Sequence, residues 1–402
     1  MKIRFSFLIL NLVFLTGLFF PGSSLGVYFC TFAPLLVLLI KNQRLLKSNI
    51  LLIFIVIFFI NVFFQILIGY PPNIKLLLNF IGNLLMVYAI IGLLPSEVIF
   101  REYLEQFLKL QFLVGSVFVA LALAWYGMDF YFMNKNYIYA SLNIYPPALW
   151  VTKQVTAPFL AFTSIMAFYI IKPNHFARNT IIIIFMMSGL ILSLGSRSVI
   201  IGIIATTCIF GFKKYFSRAP ITITFVSTLI VALIVFNIYS VEYLNIIRLI
   251  DIRGIIYSQI LSEVTTNPMG FGYGNTVEYL SSNNSNLYNN TYLYFSALQD
   301  AHPQTFGRFS INAFPVNAES SLFILLLEQG VFITVFFYTY FITKISQMLS
   351  SNDRFVVLFA FASSVVFYTA LTEDNFLLIP YLFYVALFLS LVSFQNNKVG
   401  YQ

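Results

Sequence analysis

Residues 49–68 read NILLIFIVIFFINVFFQILI, a run without a single charged side chain. A helix of about 20 residues rises about 30 Å, which matches the hydrocarbon core of a bilayer. The same pattern recurs on both sides of this run. Long apolar stretches occupy 5–20, 25–40, 76–94, 108–126, 156–171, 180–196, 198–212, 219–239, 318–341, 355–372 and 376–394. Together with 49–68 they predict an all-α polytopic membrane protein of about twelve transmembrane helices.

Composition supports this class. Hydrophobic residues make up 60% of the 402 and charged residues only 9%, too few to cover a soluble protein of this length. The net charge of +8 does not imply a nucleic-acid partner, because the basic residues lie between apolar segments and form no K/R-rich run or stripe. Cys30 and Cys208 both fall inside apolar stretches and read as packing residues. The start, Met1-Lys-Ile-Arg followed by an apolar run to Phe20, has the look of a secretory signal, but further apolar spans follow at once. It therefore reads as an uncleaved first helix.

Lysine and arginine counts orient the chain. With both termini in the cytoplasm, about 15 of the 22 basic residues fall inside, among them Lys2, Arg4, Lys41, Arg44, Lys213 and Lys214. The outer face keeps Lys75, Lys135, Lys153, Arg197, Arg248, Arg253 and Arg308. Residues 95–109 read as an amphipathic helix on the cytoplasmic membrane surface. The outer face carries two long segments: a Tyr/Asn/Pro-rich loop at 127–155 and a large polar loop at 240–317, between the ninth and tenth helices. Apolar positions at helical spacing in 241–264 make the second loop partly helical. The chain thus divides into helices one to nine (1–239), the large loop (240–317) and helices ten to twelve (318–402).

The motifs of nucleotide, metal and covalent catalysis are absent: there is no GxxxxGK[ST], no HExxH and no GxSxG in context. No cofactor and no metal are expected. The chemistry-bearing residues gather on the outer side. Arg197 sits at a helix end in Leu194-Gly-Ser-Arg-Ser, Arg248 and Arg253 open the large loop, and Arg308 lies near its close. Guanidinium groups bind phosphate oxygens bidentately, so several at one membrane face suit a lipid diphosphate. Each could instead be a snorkelling helix end or the partner of a loop carboxylate. Glu319, in Asn317-Ala-Glu-Ser-Ser, stands where the large loop re-enters the membrane. It reads either as a charge favoured by the helix dipole or as a general base facing the loop. His302, in Ala301-His-Pro-Gln, is the rival base, while His175 sits in a short cytoplasmic turn. Glu328, nine residues beyond Glu319 and on the opposite helix face, must be protonated or paired within the bilayer and reads as structural.

Three stretches carry a resemblance. They are Ser193-Leu-Gly-Ser-Arg-Ser-Val-Ile-Ile-Gly; Arg253-Gly-Ile-Ile-Tyr leading to Asn267-Pro-Met-Gly-Phe-Gly-Tyr-Gly-Asn; and Glu319 with ten residues before Gly330. In order and placement they resemble the O-antigen polymerase and ligase superfamily of Wzy-type polymerases and WaaL-type ligases. The stretches correspond to that family's Ser-Arg motif, its arginine–aromatic–proline–glycine loop and its His-x10-Gly motif. This sequence has Glu319 where the family usually has histidine.

The resemblance implies a bacterial inner-membrane glycosyltransferase working at the periplasmic face without metal or nucleotide. Its partners would be an undecaprenyl-diphosphate-linked oligosaccharide, membrane lipid and, as a further candidate, a chain-length regulator protein. Arg197, Arg248, Arg253 and Arg308 would bind the diphosphate, and Glu319 or His302 would be the base. An O-antigen or capsular repeat-unit polymerase is the first expectation and a ligase to lipid A–core the second. A transporter or flippase is the reading from another class, and it predicts discontinuous helices and ionisable residues within several spans.

Overall fold

A computed structural model describes residues 5–20, 24–40, 49–132, 153–170, 176–193, 197–215, 260–276, 321–372 and 379–399. Among these residues there is no strand, and eleven helices of fifteen residues or more follow in chain order. They are α1 (Phe5–Phe19), α2 (Ser24–Ile40), α3 (Asn49–Leu67), α4 (Ile74–Leu93), α5 (Glu97–Phe132), α6 (Lys153–Ile170), α7 (Phe176–Ser193), α8 (Arg197–Tyr215), α9 (Ser321–Met348), α10 (Arg354–Thr372) and α11 (Ile379–Val399). Each coincides with an expected span, and the twelfth, 219–239, lies outside the described residues.

By length and composition four stretches can cross a membrane: Ile74–Leu93, Glu97–Leu121, Ser321–Met348 and Arg354–Leu371. The other seven helices carry apolar runs of 10–17 described residues. Large apolar side chains face outward along these helices, including Leu39 at 75% exposure and Ile74 at 72%. Apolar surface this extensive would drive association in water and is at home in lipid. The chain is an α-helical, membrane-embedded protein.

The chain divides into two compact units. The first comprises 1–48, 80–228 and 341–402. It is a helical bundle around an aromatic core. Phe14 of α1 touches Phe107 of α5 edge-on at 4.8 Å, Phe383 of α11 at 5.3 Å and Phe159 of α6 at 5.9 Å. Tilted and edge-to-face contacts of this kind suit aromatic quadrupoles better than face-to-face sandwiches. Because Phe7, Leu10 and Phe14 are fully buried, α1 is an integral part of this core. Small residues let helices close on one another: a Cβ on Gly202 of α8 would lie 2.7 Å from the carbonyl oxygen of Val365 in α10.

Two expectations need correction in this unit. Residues 95–109 are not a separate surface helix, because α5 runs unbroken for 36 residues, about 54 Å and well beyond one bilayer thickness. Its apolar face has protein partners: Phe100 packs on Phe355, Phe359 and Phe394, and Tyr103 on Phe7. Protein contacts therefore cover the surface that was expected to meet lipid headgroups. Both ends of the expected 127–155 loop are also helical, since α5 continues to Phe132 and α6 begins at Lys153; residues 133–152 lie outside the described residues. Cys30 and Cys208 are free thiols, with Cys30 buried against the Val13 carbonyl.

The second unit comprises 49–79 and 229–340. Its described parts are α3, the start of α4, a helical turn at 260–266, the segment 267–276 and α9 as far as Tyr340. The turn at 260–266 agrees with the expectation of helix within 241–264; residues 241–259 lie outside the described residues. Ile260, Val264, Phe271 and Leu327 form its small apolar core.

Candidate functional site

In the second unit, helix α9 is broken. Gly330 has φ 76° and ψ −178°, a region open almost only to glycine. A continuous helix would send the Val331 N–H to the Leu327 carbonyl. Instead the Val331 N–H donates to the Pro268 carbonyl at 2.9 Å, and the Leu327 carbonyl accepts from the Phe271 N–H at 2.8 Å. The loop Asn267-Pro-Met-Gly-Phe-Gly-Tyr-Gly-Asn has thus exchanged hydrogen bonds with the helix and occupies its break.

Glycines make this approach possible. Gly270, Gly272 and Gly274 all have φ between 80° and 92°. A Cβ on Gly330 would lie 2.1 Å from the Pro268 carbonyl oxygen, and one on Gly270 would lie 2.6 Å from the Glu328 carbonyl oxygen. The loop's far end is tied to the turn between α3 and α4. The Asn73 N–H donates to the Tyr273 carbonyl at 2.8 Å, and the Asn275 side chain donates to the Pro71 carbonyl at 2.8 Å.

Two amides of α3 complete the arrangement. Asn61 Nδ2 donates to the carbonyls of Gln329 at 3.1 Å and Met269 at 3.3 Å. Gln65 Nε2 donates to those of Glu328 at 2.6 Å and Met269 at 2.8 Å. Backbone polar groups at membrane depth need protein partners, and these amides provide them. The satisfaction is incomplete, however: Gln65 Oε1 and Gln329 Nε2 are buried without a hydrogen-bond partner among the described residues. Each such group costs about 1–3 kcal/mol.

Glu328 is buried, and its Oε1 accepts from the Thr276 hydroxyl at 2.7 Å and the Thr276 N–H at 3.4 Å. It is therefore hydrogen-bonded within the protein, as a carboxyl group in a membrane span must be.

Of the residues expected to carry chemistry, Arg248, Arg253, His302, Arg308 and Glu319 lie outside the described residues. Glu319 precedes the first residue of α9, Ser321, by two positions. Arg197 opens α8, because α7 already ends at Ser193; it was expected at the end of the preceding helix.

Sequence reasoning missed Asn61 and Gln65. The available signal was two amides four residues apart, on one helix face, in a span that after Asn49 is otherwise built from Ile, Leu, Phe and Val. Among the described residues no cluster of His, Cys, Asp or Glu could hold a metal ion. Comparison with family models, with curated proteins and with solved structures finds no match to this chain.

Proposed function

We propose that this protein is an O-antigen or capsular repeat-unit polymerase of a bacterial inner membrane, with both termini cytoplasmic and its site at the periplasmic face. One observation above all supports the reading. Parts of two of the three stretches that carry the family resemblance, the glycine loop at 267–275 and the described end, 321–330, of the Glu319-x10-Gly330 stretch, interlock through Gly270 and Gly330. Motif residues more than fifty positions apart that interlock through carbonyls and glycines behave as parts of one site.

In this reading a sugar hydroxyl of a lipid-linked repeat unit attacks the anomeric carbon of an undecaprenyl-diphosphate-linked glycan. The new C–O bond forms as the bond to the diphosphate breaks, with inversion. Glu319, or His302, takes the hydroxyl proton. Arg197, Arg248, Arg253 and Arg308 stabilise charge developing on the departing diphosphate. The large loop excludes water that would hydrolyse the donor.

The break in α9 also favours a second reading, because transporters use discontinuous helices whose unwound carbonyls bind their cargo. Against it, the carbonyls of Leu327, Glu328 and Gln329 already accept from Phe271, Gln65 and Asn61. Each is thus already engaged by a donor of this chain.

Lipopolysaccharide gels of a deletion strain test the proposal. A single repeat unit on the core means that a polymerase has been lost. An unsubstituted core with accumulating lipid-linked polymer means that a ligase has been lost, and a normal ladder removes both. Complementation with Arg197→Ala, Arg253→Ala or Glu319→Gln should restore protein but not the ladder. A wild-type ladder from Glu319→Gln, with none from His302→Ala, would transfer the base to His302.

A further inference from the structure

We propose that Asn61 and Gln65 are positioning residues for this reaction: their side-chain amides brace the glycine loop to the helical stub at 321–329, which follows Glu319 by two positions in the sequence, and set the direction of that stub. The inference rests on the polymerase reading of the site.

Each amide touches both segments. Asn61 Nδ2 reaches Met269 in the loop and Gln329 in the stub, and Gln65 Nε2 reaches Met269 and Glu328. Both side chains leave the same face of α3, one turn apart. The stub needs such a brace, because the helical hydrogen-bond ladder is interrupted at Gly330 and the stub does not inherit its direction from 331–348. Its packing through Leu327 on Ile260, Val264 and Phe271 is apolar and therefore non-directional.

Polar satisfaction alone does not account for the amides. Gln65 Oε1 and Gln329 Nε2 have no hydrogen-bond partner among the described residues. Leucine at 65 beside an unbroken helix would leave no such group. A locally costly arrangement held by its surroundings is a mark of imposed position.

The test uses the purified full chain with Gln65→Leu, which removes the donor at similar volume, and with Gln65→Glu, whose protonated carboxyl keeps one donor. One readout is polymerisation of lipid-linked repeat units. The other is the rate of maleimide labelling at Ser321→Cys, a buried position, in a Cys30→Ser, Cys208→Ser background. Gln65→Leu should lower kcat about tenfold or more with KM little changed, as small misplacements do. It should also speed labelling several-fold, and Gln65→Glu should largely restore both. Labelling unchanged by Gln65→Leu overturns the brace whatever the activity. So does an unchanged kcat per folded molecule, which would make the amides merely structural. A wild-type protein that forms no polymer while labelling still responds to Gln65 overturns the polymerase reading and leaves the brace geometry standing.

Discussion

The two units solve the same problem, burying polar backbone in an apolar solvent, in opposite ways. In the first, hydroxyl groups are absorbed locally: Thr163, Thr206, Thr369 and Ser390 each donate to the carbonyl four residues earlier in their own helix. Helices then meet through rings and small residues. In the second, the hydrogen bonds that matter join a loop to a broken helix across some sixty positions, and two amides of α3 to both across more than 200. The first unit is held by shape, which many residues can approximate. The second is held by particular atoms, and few substitutions keep them in place.

This contrast can be broken most severely at Gly330. Alanine there would combine a backbone conformation nearly closed to other residues with a Cβ 2.1 Å from the Pro268 carbonyl oxygen. A loss of roughly 3 kcal/mol or more is expected, seen as depleted membrane protein or a collapsed thermal transition. Near-normal stability of Gly330→Ala would mean that the loop is not seated in the break.

Phe14→Ala probes the other unit. Phe14 is in contact with four aromatic rings. Truncation should cost roughly 3 kcal/mol, at the low end for buried phenylalanine because lipid gives less hydrophobic penalty than water. The comparison predicts that Phe14→Leu recovers most of that loss, as shape-based packing permits, measured by thermal unfolding in detergent. An equally damaging leucine would place the first unit with the second.

The smallest effect belongs to the charge cluster of the first unit. Arg101 pairs with Glu97 at 2.8 Å and with Asp353, and its guanidinium lies over the Phe355 ring at 4.6 Å. Partial burial raises the Asp353 carboxyl, but Arg101 and the Phe355 N–H outweigh it and hold the group below its ordinary value. The folded pKa is depressed, so this contribution is complete above the unfolded value, about 4, and is lost as pH falls through the folded one. Because the pair is substantially exposed, Arg101→Ala should cost no more than about 1 kcal/mol at neutral pH and less in high salt. Unfolding measured against pH and salt checks both signs.

Much of the fold was legible because lipid imposes one rule on every span: about 20 apolar residues with few charges. The α3 run and ten other spans therefore met their helices within a few residues, apart from α5 and the end of α9, which runs on to Met348. That exception is instructive, because the charged residues of 97–109 suggested a surface helix, whereas Phe100, Tyr103 and Phe107 had aromatic partners from distant helices that no local pattern reveals. At the candidate site, the spacing from Glu319 to Gly330 and the run of alternating glycines were visible as motifs. Their meeting was not, because it depends on a contact across some sixty residues. Asn61 and Gln65 could have been noticed as lone polar residues in a span, but nothing local names their partners.

The chain by itself determined its solvent, its helices and the punctuation that ends them, since hydropathy and helix propensity act over one or a few turns. Only the tertiary structure decided that α9 is interrupted, that the 267–275 loop enters the interruption and that α3 supplies the bracing amides. A glycine permits a positive φ without requiring one, and the choice is made by the carbonyls and donors that other segments bring within reach.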